Sequence, residues 1–179
     1  MRPLFAALTA ALLFAPLAAG AHGPSRQKVT ETIEISAPPE KVWARIGEFD
    51  DMSWLPPIAA TEAPKGNEIG AIRVLHVETP DGPTVTEELT KYDAAKRSYS
   101  YRITEVDVKV LPVTNYSSTI TVKDGANGGS LVEWRGAFYR GFPNNDPPTE
   151  LNDEAAAKAV TGLYKTGLAA LKTELEAAN

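Results

Sequence analysis

The sequence of 179 residues contains no cysteine and only two histidines, His22 and His76. Without cysteine the chain forms no disulfide, thiolate metal site, cysteine nucleophile or lipoprotein anchor. With two histidines it has few groups that carry protons near neutral pH. It also lacks an excess of basic residues, because its formal net charge is −5, and this argues against a nucleic-acid partner.

The N-terminal stretch is predicted to be an export signal. Arg2 is followed by an uncharged apolar run at residues 4–21 that ends in a small Ala-Gly-Ala triplet. A positive start, an apolar middle and small residues before a polar turn are typical of a cleavable secretory signal, so we expect cleavage after Ala21. The alternative is an uncleaved membrane anchor, since about 18 apolar residues span a bilayer, but Pro16 and the weak hydrophobicity of the run favour cleavage.

Beyond the predicted signal, the chain is expected to form a short flexible tail at residues 22–27 and a single domain at residues 28–179. A chain of this length buries about 70% of the surface that it exposes when unfolded. One hydrophobic core therefore suffices for a stable domain without disulfides.

Most of the domain has the alternation of β-strands. Residues 29–35 place Val29, Ile33 and Ile35 on one face, which predicts a strand with one buried side. Five further strands are predicted at residues 69–78, 84–92, 98–106, 114–123 and 131–140, with a weaker one at 58–62. Turn signals at residues 80–83, 93–96 and 124–129 separate them, and connections of this length predict an antiparallel meander.

A long amphipathic helix is predicted at residues 149–177. Lys158, Lys165 and Lys172 lie on its polar side. Gly167 interrupts the apolar stripe, which indicates close approach of another element or of a ligand. The stripe consists of Ala156, Val160, Leu163, Tyr164, Gly167, Leu168, Leu171 and Leu175.

Two short helices are predicted between the first strand and the meander. The first presents Val42, Trp43 and Ile46 and ends at Gly47. The second is expected to begin with Asp50 as its cap, to present Met52 and Trp54, and to end at Pro56-Pro57. The order of elements predicts an α+β fold in which a curved antiparallel sheet wraps around the long C-terminal helix and encloses a cavity.

Aromatic side chains on the inner faces are candidates for lining this cavity, and some of them are expected to be ordinary core residues. Trp43 and Phe49 are expected to hold the short helices on the sheet. The candidates for contact with a ligand are Trp54, Tyr99, Tyr101, Tyr116, Trp134, Phe138 and Tyr164.

No catalytic, metal-binding or cofactor-binding set emerges from the sequence. His76 lies within a strand and is interpreted as a structural residue, whereas His22 and a new amino terminus offer a copper chelate without further ligands. Glu87 and Glu88 are adjacent in a strand, so they point to opposite faces and share no proton. The loop at residues 124–129 lacks the spaced acidic ligands of a calcium site and is interpreted as a hairpin turn.

The order of these motifs resembles the START-like/Bet v 1-like (SRPBCC) superfamily, which includes the polyketide cyclase/dehydrase and lipid-transport group. The resemblance covers residues 28–177 and implies a helix-grip fold. The residues that carry it are Ala37-Pro38, Val42-Trp43, Phe49, Trp54, Pro56, Gly70 and the segment at residues 93–101.

Within the superfamily the chain most resembles the MxaD-like accessory proteins of bacterial methanol dehydrogenase systems. Three segments carry this resemblance, at residues 22–31, 51–57 and 111–118. It implies a non-catalytic periplasmic protein that assists maturation of methanol dehydrogenase or its contact with its cytochrome c acceptor. The alternative is a carrier or sensor of a small hydrophobic ligand held in the cavity, and a cyclase or aromatase activity is a weaker third hypothesis.

Overall fold

The computed structural model describes residues 23–177. The predicted signal and His22 lie outside the described residues, as do the last two residues of the predicted domain. No helix in the described part of the chain is long and apolar enough to cross a membrane.

Among the described residues, seven strands form one antiparallel sheet in the order β1-β7-β6-β5-β4-β3-β2. The predicted meander is therefore confirmed, and its weak segment is the edge strand β2. The first strand returns to pair with the last, in the register Val29 opposite Gly136 and Ile33 opposite Val132. The strands are β1 (Gln27–Ile35), β2 (Ile58–Glu62), β3 (Ile72–Val77), β4 (Thr84–Asp93), β5 (Ser98–Val106), β6 (Val113–Asp124) and β7 (Ser130–Arg140).

Helix α2 (Asp153–Ala177) packs most extensively on β1 and β7. Its predicted stripe faces the sheet, and every member except the half-buried Leu163 is fully buried. The predicted helix starts later than expected, because a 3-10 turn at Thr149–Leu151 is followed by Asn152 as the cap. The Asn152 side chain accepts a hydrogen bond of 2.8 Å from the amide of Ala155, which satisfies one of the unpaired donors of the first turn.

Helix α1 (Pro39–Ile46) follows β1, as predicted. Proline suits its first position because an amide there would have no partner within the helix. The helix ends at Gly47, whose amide donates a 2.7 Å hydrogen bond to the carbonyl of Trp43. The Trp43 ring lies 6.1 Å from the Tyr99 ring, and Phe49 is completely buried, so both aromatics attach this corner to the sheet.

The second predicted helix is wrong: residues 48–57 form a series of turns instead. The Asp51 carboxylate accepts a 2.8 Å hydrogen bond from the amide of Ser53, and this local bond competes with helix formation. Asp50 is exposed and caps no helix, while the proline pair that follows has no amides with which to continue one. The turns still bury Met52, Trp54 and Leu55, so the apolar spacing of this segment reflects core packing.

Candidate ligand-binding cavity

A cavity of about 350 Å³ lies between the sheet and α2. Because α2 packs mainly over β1 and β7, the cavity lies towards β3, β4 and β5, where the turns after α1 and the segment that joins β5 to β6 complete its wall. Its lining is predominantly apolar: Met52, Leu55, Pro57, Ile58, Leu75, Val77, Glu78, Val85, Glu87, Tyr101, Ile103, Val110, Leu111, Tyr116, Trp134, Ala159, Leu163 and Thr166.

Three of the seven predicted aromatic candidates, Tyr101, Tyr116 and Trp134, line this cavity. The other four are buried behind them, and each packs against a lining ring. Trp54 and Tyr164 lie 5.4 and 4.2 Å from the Trp134 ring, Tyr99 lies 5.9 Å from Tyr101, and Phe138 lies 6.0 Å from Tyr116, measured between ring centroids. All seven therefore form one aromatic cluster, and contact with a ligand stays a prediction for the three at the surface of the cavity.

The aliphatic residues of the cavity wall were not among the residues predicted from the sequence to line it. Leu75, Val85 and Ile103 come from the inner faces of β3, β4 and β5, while Leu111 precedes β6 and Leu163 comes from α2. Each belongs to an alternating or helical apolar pattern, so the sequence marks it as buried. Nothing local in the sequence separates an aliphatic side chain that borders a void from one that contacts protein on all sides.

The aromatic wall is supported by a chain of buried hydroxyl groups. Ser118 Oγ donates a 2.9 Å hydrogen bond to the carbonyl of Arg135, so it accepts from both Trp134 Nε1 and Tyr164 Oη, each at 2.9 Å. Tyr164 in turn accepts from Tyr116 at 2.6 Å. The protons of Tyr116, Tyr164 and Ser118 are thus all directed along this chain.

An ion pair lies beneath the cavity. Arg73 on β3 and Glu87 on β4 face each other directly in the sheet, and they are 0% and 5% exposed. Arg73 Nε donates a 2.7 Å hydrogen bond to Glu87 Oε2, and Arg73 Nη2 lies 2.6 Å from the same oxygen. Glu87 and Glu88 lie on opposite faces, as predicted, and Glu88 accepts a 2.7 Å hydrogen bond from Arg102, whereas the partner of Glu87 was not predicted.

The Arg73 guanidinium is enclosed on its remaining sides. Its Nη1 donates a 3.0 Å hydrogen bond to the carbonyl of Phe49, and its central carbon lies 4.1 Å from the Phe49 ring centre and 4.9 Å from that of Tyr101. Stacking against two rings favours a desolvated guanidinium. Arg73 is therefore a fixed buried cation that orients Glu87.

Burial dominates the protonation of the groups around the cavity. It raises the pKa of Glu87, and the positive charge of Arg73 opposes that rise. Burial also raises the pKa of Tyr101 and of Tyr116 well above the usual tyrosine value, and the charge of Glu87 adds to the effect on Tyr101. Both phenols are consequently neutral hydrogen-bonding groups at physiological pH.

The remaining candidates from the sequence lie away from the cavity. His76 is half-buried, and its Nε2 lies 3.0 Å from Glu62 Oε1 across β2 and β3. The loop at residues 124–129 connects β6 to β7 through a 3-10 turn at Ala126–Gly128, in agreement with the predicted hairpin. Within residues 23–177, no three His, Asp or Glu side chains converge in a way that could hold a metal ion.

Comparison with known proteins gives one family match and several structural neighbours. The family described as "Polyketide cyclase / dehydrase and lipid transport" matches residues 26–176. The chain matches no curated protein.

Among solved structures, the protein XoxI from Bacillus cereus is 37% identical to this chain, with a TM-score of 0.69 over 83% of this chain and 94% of that one. An uncharacterised protein from Bacillus thuringiensis is 36% identical, with the same TM-score over 83% and 98% of the two chains. Norcoclaurine synthase from Thalictrum flavum, solved with dopamine and hydroxybenzaldehyde, is 14% identical, with a TM-score of 0.62 over 88% and 90%. The last similarity concerns the fold alone.

Proposed function

Because the chain belongs to the polyketide cyclase/dehydrase and lipid transport family, we propose that it binds a small, largely apolar molecule in the cavity between its sheet and α2. The cavity itself carries this proposal. Its volume of about 350 Å³ falls at the lower end of the range of small-molecule sites, and its wall combines aliphatic and aromatic side chains with a few polar groups. Exposed Glu78 and Thr166 on the lining mark the side that solvent reaches.

The energetics favour a ligand about the size of one aromatic side chain. Such a group buries roughly 150–250 Å². At about 25 cal/mol per Å² this burial gives ~4–6 kcal/mol before the costs of association. Trp134 and Tyr116 are held in place by the hydroxyl chain behind them, so this part of the wall is preorganised and its ordering adds little to the cost of binding.

We propose a binding role rather than a catalytic one. The hydroxyl protons of Tyr116, Tyr164 and Ser118 are used within the protein, and one oxygen of Glu87 is occupied by Arg73. These groups hold the wall in one geometry. That arrangement suits reversible binding better than proton transfer to and from a substrate.

The cellular role that we propose is that of an exported accessory protein of methanol oxidation. Sequence resemblance to the MxaD-like proteins supports it, and two of the three segments that carry this resemblance contribute to the cavity wall. Met52, Leu55 and Pro57 come from residues 51–57, whereas Leu111 and Tyr116 come from residues 111–118. In this proposal the bound molecule, or the surface at the mouth of the cavity, serves the maturation of a periplasmic methanol dehydrogenase or its contact with cytochrome c.

Native mass spectrometry of protein purified from the bacterial periplasm tests the binding proposal. We expect a small apolar molecule to co-purify and to be released on unfolding. Ala159→Phe, on the cavity side of α2, should abolish the adduct by filling the cavity, whereas Ala169→Phe on the exposed side should retain it. Empty wild-type protein that also binds no apolar probe would contradict the proposal.

Electron transfer from methanol dehydrogenase to cytochrome c tests the accessory role. The rate should change when the purified protein is added, and the change should weaken at high salt if charge steers the contact, since the chain is acidic. An unchanged rate at both low and high salt would contradict a role in coupling the two proteins.

A further inference from the structure

We propose that the cavity selects apolar molecules that carry one neutral hydroxyl group, which donates a hydrogen bond to Glu87 Oε1. This inference rests on the proposed binding function and adds to it the chemical class of the ligand. Glu87 is the only ionisable side chain of the lining that is more than nine-tenths buried, among the residues that the structure describes, apart from the lining tyrosines.

The two oxygens of Glu87 have different surroundings. Both short contacts from Arg73 meet Oε2, one from Nε at 2.7 Å and one from Nη2 at 2.6 Å. Oε1 takes no part in that pairing, while Glu87 as a whole lies in the wall of the cavity. Oε1 accepts no hydrogen bond within the described protein, yet it is not among the fully buried unpaired atoms, so it keeps accessible surface in the cavity wall. A carboxylate oxygen is a strong acceptor and covering it with an apolar group is costly, so a ligand that supplies a donor gains affinity.

Tyr101 supplies the complementary group. Its Oη accepts the longer branch, at 3.1 Å, of a hydrogen bond that the single Trp134 Nε1 proton shares with Ser118 at 2.9 Å, so the proton of Tyr101 itself is not used in that bond. Tyr101 and Glu87 both contact the Arg73 guanidinium, the first through its ring and the second through Oε2, and both line the cavity, so they are neighbours in its wall. A hydroxyl group matches this pair because it donates to Glu87 and accepts from Tyr101.

The charges around the cavity disfavour an anionic ligand. None of the described residues in the lining is Lys, Arg or His, whereas Glu78 and Glu87 both contribute acidic groups. Arg73 is fully buried behind the wall and is not part of the lining: Nε bonds Glu87, Nη1 bonds the carbonyl of Phe49, and Nη2 lies 2.6 Å from Glu87 Oε2 without a hydrogen bond of its own. A carboxylate, as in a fatty acid, would lose its water without gaining a cation.

An ammonium group is also a poor match. Arg73 already compensates the charge of Glu87, so a second cation would be desolvated beside a pair that is close to neutral. A neutral hydroxyl avoids this cost and still provides the donor. The inference therefore distinguishes alcohols and phenols from amines, carboxylates and ethers of the same shape.

A matched series of naphthalene probes tests the selectivity on the intact protein. The probes are 2-naphthalenemethanol, its methyl ether, 2-naphthoate and 2-(aminomethyl)naphthalene, titrated by NMR with observation of cavity residues. We expect the alcohol to bind roughly tenfold or more tightly than each of the others, as one hydrogen bond to a buried charged group implies.

Variants assign the selectivity to Glu87. Replacing Glu87 alone would leave Arg73 without its partner, so the informative variant is Arg73→Met/Glu87→Leu, in which the affinities for the alcohol and the ether should become equal. Glu88→Gln is the matched control, because Glu88 is the next residue of β4 and faces the other side, where it bonds Arg102. This control should keep the preference for the alcohol.

The outcomes separate the inference from the binding function. Equal affinity of the wild-type protein for the alcohol and the ether, both in the cavity, would overturn the inference and leave the binding function standing. Tighter binding of the carboxylate or the amine, or a preference for the alcohol that persists in the double variant, would also overturn the inference. Failure of all four probes to bind would overturn the inference and count against the binding function as well.

Discussion

Tyr164 Oη on α2 lies 2.6 Å from Tyr116 Oη on β6, so a hydrogen bond between two buried phenols joins the helix to the sheet. Gly136 on β7 makes room for this contact, because a Cβ atom there would collide with the Tyr164 hydroxyl. The aromatic wall of the cavity thus depends on a glycine that does not itself line the cavity.

Gly136→Ala should destabilise the protein by about 1–3 kcal/mol, as overpacking of a core does. Tyr164→Phe removes the colliding atom and should cost about 1–2 kcal/mol through the lost hydrogen bonds. In urea unfolding, the double variant should therefore be clearly more stable than the sum of the two single effects implies. Strict additivity would show that the hydroxyl and the glycine do not interact.

Gly167→Ala should lower stability even though alanine favours helices. A Cβ at residue 167 would lie 2.6 Å from Leu55 Cδ1 and 3.0 Å from the Trp134 ring. Both distances are shorter than the carbon–carbon contacts of a packed core, so neighbouring side chains would have to move. We expect a net loss of about 1–2 kcal/mol, together with weaker binding of apolar probes because Leu55 is pushed into the cavity.

Gly162→Ala is the matched control for that change. It lies on the exposed side of the same helix, and a Cβ there would meet nothing within 4 Å. Stability should rise by up to about 1 kcal/mol from helix propensity alone. Thermal unfolding of the two variants should therefore shift in opposite directions, and a parallel shift would contradict this account of Gly167.

Arg73→Met should be one of the most destabilising single substitutions in the sheet. It leaves Glu87 buried without its cation, and breaking a buried pair in this way costs about 3–5 kcal/mol. Arg73→Met/Glu87→Leu removes both charges and should recover most of that loss in urea unfolding. A double variant as unstable as the single one would show that packing around the guanidinium, rather than its charge pairing, holds β3 and β4 here.

Alkaline pH should unfold the protein together with the ionisation of its buried tyrosines. Burial raises the pKa of Tyr99, Tyr101, Tyr116 and Tyr164, so the stabilisation that they provide is complete below about pH 10 and declines as the pH rises further, where the unfolded chain ionises first. In ultraviolet difference spectra, the ionisation of these four rings should coincide with the change in circular dichroism. Ionisation of more than two of the six tyrosines in the folded protein would contradict this.

Alternation and turn composition sufficed to predict the sheet. The segments at residues 58–62 and 98–106 coincide with β2 and β5, and the other strands differ by up to three residues at an end, where the edge of a ladder depends on the partner strand. The failure at residues 50–57 has a different origin. Met52 and Trp54 were correctly predicted to be buried, but the side chain of Asp51 and the prolines stabilise turns that bury these residues instead of a helix.

The contact between Arg73 and Glu87 was not predicted from the sequence and is seen only in the structure. Each residue lies two positions from a buried apolar neighbour on its own strand, Leu75 for Arg73 and Leu89 for Glu87, so the alternation placed both on the inner face. Their contact depends on the register of β3 against β4 around the turn at residues 80–83. A residue of each charge on the buried faces of adjacent strands was the signal that could have revealed the pair.

The pairing of β1 with β7 has a consequence for the order in which the chain can fold. Residues 27–35 gain their only strand partner within the described chain after residues 130–140 have been synthesised, and α2, which packs on both strands, comes later still. Closing a contact between distant parts of a chain is slow, so the native core forms only after residues 130–177 have been synthesised. Until then β1 is an unpaired edge that is available to other chains, which makes the nascent protein dependent on protection from aggregation.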